Sequence, residues 1–179
     1  TCKVYARTPP TPIVSMPQAK AFNERVAMDL KVRNDGRNIL HMIDMCTRLS
    51  VSVFVENKTA GEVIDKVLRH WIGVWGLMKS MLFDNGLEFS NEQMREVASV
   101  LGVEVHTTAA SSPWSNGLCE RNHQVTDRMF EILMEEKPSL SEDAILAWAS
   151  MAKNSLQMWN GYSSYQLVLG ENPGLPNIM

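Results

Sequence analysis

The chain has 179 residues, 45% hydrophobic and 21% charged, with a formal net charge of −3. Those values suit a single globular domain with trailing segments and argue against a module that holds nucleic acid by net positive charge alone. No apolar run nears the roughly 20 residues that span a bilayer, so no membrane partner is expected. The three scattered cysteines (Cys2, Cys46, Cys119) give no disulfide framework, which favours an intracellular setting.

Residues 1–20 carry Pro9, Pro10, Pro12 and Pro17 and read as an extended linker. Val26, Met28, Leu30 and Val32 alternate with polar or small residues and predict a strand. Asn34-Asp35-Gly36 is a turn signal. Ile39 to Met45 and Leu49 to Val55 predict two further strands, and the short connections make the first three an antiparallel meander. Thr59 can cap a helix to about Trp75, with Val63, Ile64, Val67, Leu68, Trp71 and Trp75 on its apolar stripe and Gly76 as its stop. Met78 to Phe83 is a short buried strand that delivers Asp84 at its end. Asn91 opens a helix ending at Gly102, and Val103 to Thr107 is the last strand. A mobile loop is expected from Thr108 to Gly117, then helices from about Leu118 to Glu136 and Ser141 to Met158. On the first of these, Leu118, Val125, Met129 and Ile132 are expected to face the core. The order predicts an α/β fold with a five-stranded mixed sheet flanked by helices.

Three acids stand in distinctive contexts: Met28-Asp29-Leu30 on the first strand, Phe83-Asp84-Asn85-Gly86 at a strand end, and Gly117-Leu118-Cys119-Glu120-Arg121 early in a helix. Open α/β sheets gather ligands at strand ends. Three carboxylates brought together there can hold two Mg²⁺ ions, which clamp the attacking and leaving oxygens of a phosphodiester.

These segments resemble the catalytic core of retroviral and long-terminal-repeat retrotransposon integrases, in the RNase H-like DDE recombinase group. The likeness runs from about Phe22 to Glu136. It is carried by Met28-Asp29, Met42-Ile43-Asp44 with Thr47-Arg48, Asp84-Asn85-Gly86 with Glu88-Phe89, His106, and Ser112-Pro113 with Asn116-Gly117 and Glu120-Arg121. Thirty-five residues lie between Asp84 and Glu120. The resemblance implies an RNase H-like fold and a D,D-35-E triad of Asp29, Asp84 and Glu120, serving as both catalytic residues and ligands of two Mg²⁺ or Mn²⁺ ions. It also implies an enzyme that trims retroelement DNA 3′ ends and joins them to target DNA by transesterification. It further implies a homodimer or higher multimer acting in the nucleus on host DNA.

Residues 161–179, with Gly161-Tyr162-Ser163-Ser164-Tyr165-Gln166 and Asn172-Pro173, look like the extension that follows a core spanning 21–160. Ser164 stands where a proline is common. Cys2 and the Pro-rich opening resemble the tail of a zinc-binding module preceding the core, so zinc is expected only in that upstream module. DNA contacts are expected from Asn116 and Gly117, from Arg121, Gln124 and Arg128 on one side of the helix, and from Trp114 by stacking on a base. Asp44, on the second strand, reads as structural or as an outer support of the metal ligands, and Glu88 as a brace for the loop after Asp84. His106 reads either as a contact to metal-bound water or DNA or as a strand-end histidine satisfied by hydrogen bonds, and Cys46 and Cys119 read as packing residues. An exposed Trp71 or Trp75 would mark a dimer surface. The rival readings are a catalytically silent DNA- or protein-binding module and a ribonuclease H-type nuclease.

Overall fold

The structure, a computed structural model, describes residues 19–33, 35–83, 92–107 and 113–174, with side chains of the two later helices described from 95 and from 120. Five strands form one sheet: β1 (Arg25–Val32), β2 (Asn38–Asp44), β3 (Ser50–Val55), β4 (Ser80–Phe83) and β5 (Glu104–Thr107), in the order β3-β2-β1-β4-β5. β2 runs antiparallel to both β1 and β3, while β4 runs parallel to β1 and to β5. The expected mixed sheet is therefore present, with the meander at one side.

Period-2 alternation gives this sheet two different faces. Val26, Met28, Leu40, Met42, Val55, Met81 and Phe83 are buried on one face against Val63, Val67, Trp71 and Ala98. The other face carries Ala27, Asp29, Ile39, His41, Ile43, Ser50, Ser52 and Leu82, and is therefore partly polar.

On the apolar side, Thr59 caps α1 (Ala60–Val67) by accepting from the Glu62 amide. The helix continues to Trp75, but not uniformly. A π-helical turn, Leu68–Ile72, precedes α2 (Gly73–Trp75). The Gly73 amide reaches back to the Leu68 carbonyl, and a Cβ at Gly73 would lie 3.1 Å from that oxygen. The turn carries Trp71 fully inward, while Leu68, assigned to the stripe from sequence, is 40% exposed. Neither Trp71 nor Trp75 offers an open dimer face: Trp71 is buried, and Trp75 packs edge-on against Phe22 and beside Tyr165. α3 (Glu92–Leu101) completes this layer, and its expected opening residue, Asn91, lies outside the described residues.

On the polar side lie α4 (Pro113–Glu136) and α5 (Glu142–Leu156), the latter capped by Ser141. α4 starts five residues before the expected Leu118, so Pro113 to Gly117 is helix rather than loop. Proline at a first helical position has its φ preset and no amide to leave unpaired, and one interior glycine costs a helix only about 1 kcal/mol. The buried stripe of α4 is also not the expected one. Asn122, His123, Thr126, Phe130 and Leu133 are buried, Val125 and Met129 are half-buried, and Ile132 is 46% exposed. Apolar spacing misplaced the stripe because polar residues of α4 meet polar residues of the sheet.

After α5 the chain makes a hairpin, β6 (Met158–Trp159) and β7 (Tyr162–Ser163), and then α6 (Ser164–Leu169), closed by a Ser163–Gln166 capping box. Tyr165 and Val168 of α6 pack against the apolar core. No helix of the described residues is long and apolar enough to cross a membrane.

α5 is fastened to the meander by polar groups. Asn154 accepts from the Ser50 amide and donates to its carbonyl. Lys153, fully buried, donates to the carbonyl of Arg48, whose φ of 65° forms the β2–β3 turn. Burial, and secondarily the Arg48 charge, lowers the Lys153 pKa to about 7. An unfolded lysine titrates near 10.4, so between about pH 7 and 10 the unfolded chain binds more protons than the folded one. This group's contribution to stability therefore rises with pH across that window and is least favourable below it. Lys153→Met should remove that component, read as a flatter dependence of the urea midpoint on pH from 7 to 10 than in the unchanged protein.

Candidate active site

Asp29 lies mid-strand on β1, on the face that α4 covers. Its cross-strand partner is His41 on β2, and the partner of His41 is Ser52 on β3. The alternation that puts Asp29 on this face thus puts a row of three polar side chains across the sheet. His41 Nδ1 and Ser52 Oγ are 2.8 Å apart, and the Ser52 amide donates to Ser150 Oγ of α5 at 3.3 Å. His123 of α4 closes the row from above. Its ring lies 4.2 Å from that of His41, and its Nε2 is 2.9 Å from Asp29 Oδ2. The ring N–H is not aligned on the carboxylate, so this close contact is electrostatic more than a well-directed hydrogen bond.

The titration of this row follows its packing. His123 is the main cause holding the Asp29 carboxyl below its ordinary value, against the opposing effect of partial burial. His41 is pushed well below the usual imidazole range, first by burial and then by the charges of His123, Lys153 and Lys31. An ionised, part-exposed carboxylate thus stands over a neutral, sealed imidazole.

α4 follows β1 closely. His123 touches Asp29, and four residues on Asp127 pairs with Lys31, with Arg33 also 3.9 Å from it. Four helical residues rise about 6 Å and two strand residues about 6.6 Å, so helix and strand keep step in the same direction. Glu120 is exposed on the turn of α4 that precedes His123, and Arg121, Gln124 and Arg128 are exposed on the same helix. A cleft lined by Arg48, Arg121, Gln157 and Trp159 opens beside them, with the Arg48 guanidinium 4.9 Å from the Trp159 ring centre.

Asp84 and Glu88 lie outside the described residues. β4, the strand that precedes Asp84, ends at Phe83 in register with Met28, the residue before Asp29. Asn116, Gly117, Trp114 and Cys119 fall in the first turns of α4, ahead of the residues whose side chains are described. Among the described residues no three acids, histidines or cysteines converge as a metal site, and Asp84 is not among those residues. Of the three acids named from sequence, the two that are described offer hard oxygen donors, one exposed and one ionised and part-exposed, which suits Mg²⁺. His106 sits 3.3 Å from the Glu104 carboxylate. Cys46 is a half-buried free thiol.

Two residues of the row, His41 and His123, were not singled out from sequence. The signal was present in the spacing: His41 has the strand parity of Ile39 and Ile43, and His123 lies one helical turn beyond Glu120.

The comparisons with known proteins agree with this architecture. Integrase structures share the fold at high overlap. The simian T-cell lymphotropic virus intasome, in complex with PP2A regulatory subunit B56 gamma, aligns with a TM-score of 0.78 and 19% identity over 92% of this chain and 61% of that one. The trimeric HTLV-2 integrase catalytic core domain, in complex with magnesium, aligns at 0.71 and 18% identity over 82% of this chain and 96% of that one. The BIV integrase catalytic core domain aligns at 0.68 and 19% identity over 83% and 95%. The fold is RNase H-like. Within that class it is the fold of the retroviral integrase catalytic core, as the sequence resemblance implied. The chain is also similar in sequence to the Retrovirus-related Pol polyprotein from transposon 412 of Drosophila melanogaster, 26% identical over 159 residues, 86% of this chain. The chain spans only 13% of that polyprotein. No family model matches the chain.

Asp44 proves to be an anchor and not part of the row. It is fully buried at the end of β2 and accepts from the amides of Asn23, Cys46 and Thr47 and from the Thr47 hydroxyl. Burial raises its pKa, and the donated hydrogen bonds oppose the rise. Asp44→Ala strands several of these donors and should cost about 3 kcal/mol of stability in chemical denaturation, with divalent-cation affinity of the folded fraction unchanged.

Proposed function

We propose that this chain is the catalytic core of a retroelement integrase, a divalent-metal-dependent polynucleotidyl transferase that trims DNA 3′ ends and joins them to target DNA. The observation that carries the proposal is the contact of His123 with Asp29, which sets the helix bearing Glu120 against the strand bearing the first acid. The register of Met28 with Phe83 adds support, since Asp29 and Asp84 are the residues that follow them in sequence.

On this reading Asp29, Asp84 and Glu120 hold two Mg²⁺ or Mn²⁺ ions. When bound, such ions activate the attacking oxygen and relieve charge on the leaving one. The protein contributes no nucleophile of its own, so water as attacker gives end trimming and a DNA 3′-hydroxyl gives joining. Asp29 brings an ionised carboxylate, kept ionised chiefly by His123. Arg121, Gln124 and Arg128 present an exposed polar side of α4 on which phosphates can register. Asn116, Gly117 and Trp114 fall in the first turns of that helix and are further candidate DNA contacts. The magnesium-bound HTLV-2 core and the viral intasome lend weight to metal dependence and to a multimer on DNA. Action on host DNA would place the protein in the nucleus.

Glu120→Gln should leave the melting temperature within a degree or two and abolish both end trimming and strand transfer on matched oligonucleotides. Retained activity in that variant would end the triad assignment. Cleavage of an RNA–DNA hybrid without strand transfer would instead favour the ribonuclease H reading. Arg121→Ala with Arg128→Ala should weaken DNA binding and reduce the slope of log K against log salt by about 0.9 for each phosphate that is no longer neutralised. A titration series in salt reads this directly.

A further inference from the structure

We propose that His123 is the positioning residue for Asp29, holding one carboxylate oxygen from the helix side so that the remainder of the carboxylate is pre-set for a divalent cation. The inference rests on the assignment of Asp29 as a metal ligand made above and goes beyond it, because His123 belongs to none of the three acids.

Three observations carry it. The first is contact and burial. His123 Nε2 is 2.9 Å from Asp29 Oδ2, the imidazole side chain is 5% exposed, and the aspartate side chain is 35% exposed. The acid is thus gripped from the buried side and open on the other. The second is that the grip is itself supported. His123 stacks on His41, His41 Nδ1 meets Ser52 Oγ, and the Ser52 amide meets Ser150 Oγ, so the ring is backed by groups from β2, β3 and α5. The third is cost. A continuous core at this place would be filled with Leu, Ile or Val, as it is further along the same layer at Ile39, Phe130, Leu133 and Ile145. Two fully or nearly buried imidazoles are a poor choice for packing alone, since buried polar groups cost free energy unless they are matched. Outer-shell partners that orient a ligating carboxylate or imidazole are the usual reason for such an arrangement, and their loss typically lowers metal affinity about 10- to 100-fold.

Two substitutions separate donation from packing. His123→Phe keeps a ring to stack on His41 and removes both nitrogens. His123→Gln keeps an N–H donor and gives up the ring. Mg²⁺ affinity by calorimetry, and Mn²⁺ stoichiometry and linewidth by electron paramagnetic resonance, are measured on folded protein verified by near-ultraviolet circular dichroism, with Asp29→Asn alongside. The expected result is a 10- to 100-fold loss of affinity in the Phe variant, substantial recovery in the Gln variant, and no binding in Asp29→Asn. Unchanged affinity in the Phe variant, with binding lost in Asp29→Asn, overturns the positioning role and leaves the metal site standing. Equal losses in the Phe and Gln variants also overturn it, because an N–H offered to Asp29 from that position would then recover nothing. Full binding in Asp29→Asn removes the metal assignment itself and the positioning role with it. Should the Phe variant not fold, His123→Leu takes its place as the nitrogen-free variant: a 10- to 100-fold loss with recovery in the Gln variant supports the role, and unchanged affinity refutes it.

Discussion

β1 is hydrogen-bonded along both edges, antiparallel to β2 and parallel to β4, and this double pairing leaves Asp29 no alternative position. A slip of one residue against either neighbour would turn every side chain of the strand over, sending Met28 to the helix-α4 side and Asp29 into the apolar layer around Trp71. Burial on both faces forbids that slip. Val26 and Met28 are sealed on one side, and Ala27 and the Asp29–His123 contact fill the other. The register therefore carries the chemistry. It fixes which acid faces α4, which residue of β4 ends beside it, and which imidazole lies next to it on β2.

α4 is held to the sheet in two different ways along its length. Towards its C-terminal half the attachment is hydrophobic: Phe130 and Leu133 pack with Ile39, Ile145 and Leu146, and Phe130 meets Phe54 edge-on. Arg33 and Arg37 lie over those two rings and shield them. Towards Asp29 the attachment is polar, through the His123–Asp29 contact and the Asp127–Lys31 pair. Non-directional burial is enough to dock a helix, but it tolerates small shifts. Close polar contacts between particular charged groups tolerate far less, and they occur where the candidate chemistry needs the helix in one place.

Much of this was legible in the sequence. The three meander strands, the parallel pair beyond them and the cap at Thr59 follow from alternation, turn chemistry and capping, all of which act over a few residues. Asp44 read as structural or supporting from its place on the second strand alone; the donors of the following turn that hold it are seen in the structure. What escaped was set at long range. The π-helical turn at Leu68–Ile72 answers to Asn23, 48 residues from Trp71, which takes the Trp71 indole N–H at 2.9 Å. The buried stripe of α4 answers to the polarity of the sheet beneath it, so ranking its residues by hydropathy chose Ile132 over His123. The helix start at Pro113 was hidden by a run of Ala, Ser and Asn that resembles loop in isolation.

Asn23 ties several strands and helices together. It adopts φ of 60°, donates its amide to Asp44 and its side-chain N–H to the Trp75 carbonyl, and receives the Trp71 indole. One optical consequence is that the protein's indoles divide into distinct reporters. Trp71, shut away from solvent with its N–H engaged, emits at short wavelength and resists collisional quenching by iodide for as long as that knot is tied. Trp159, half in water beneath the Arg48 guanidinium, remains open to the quencher. A molecule settling into the cleft by the hairpin would thus dim or shield one fluorophore and leave the other silent, separating occupancy from unfolding in a single cuvette.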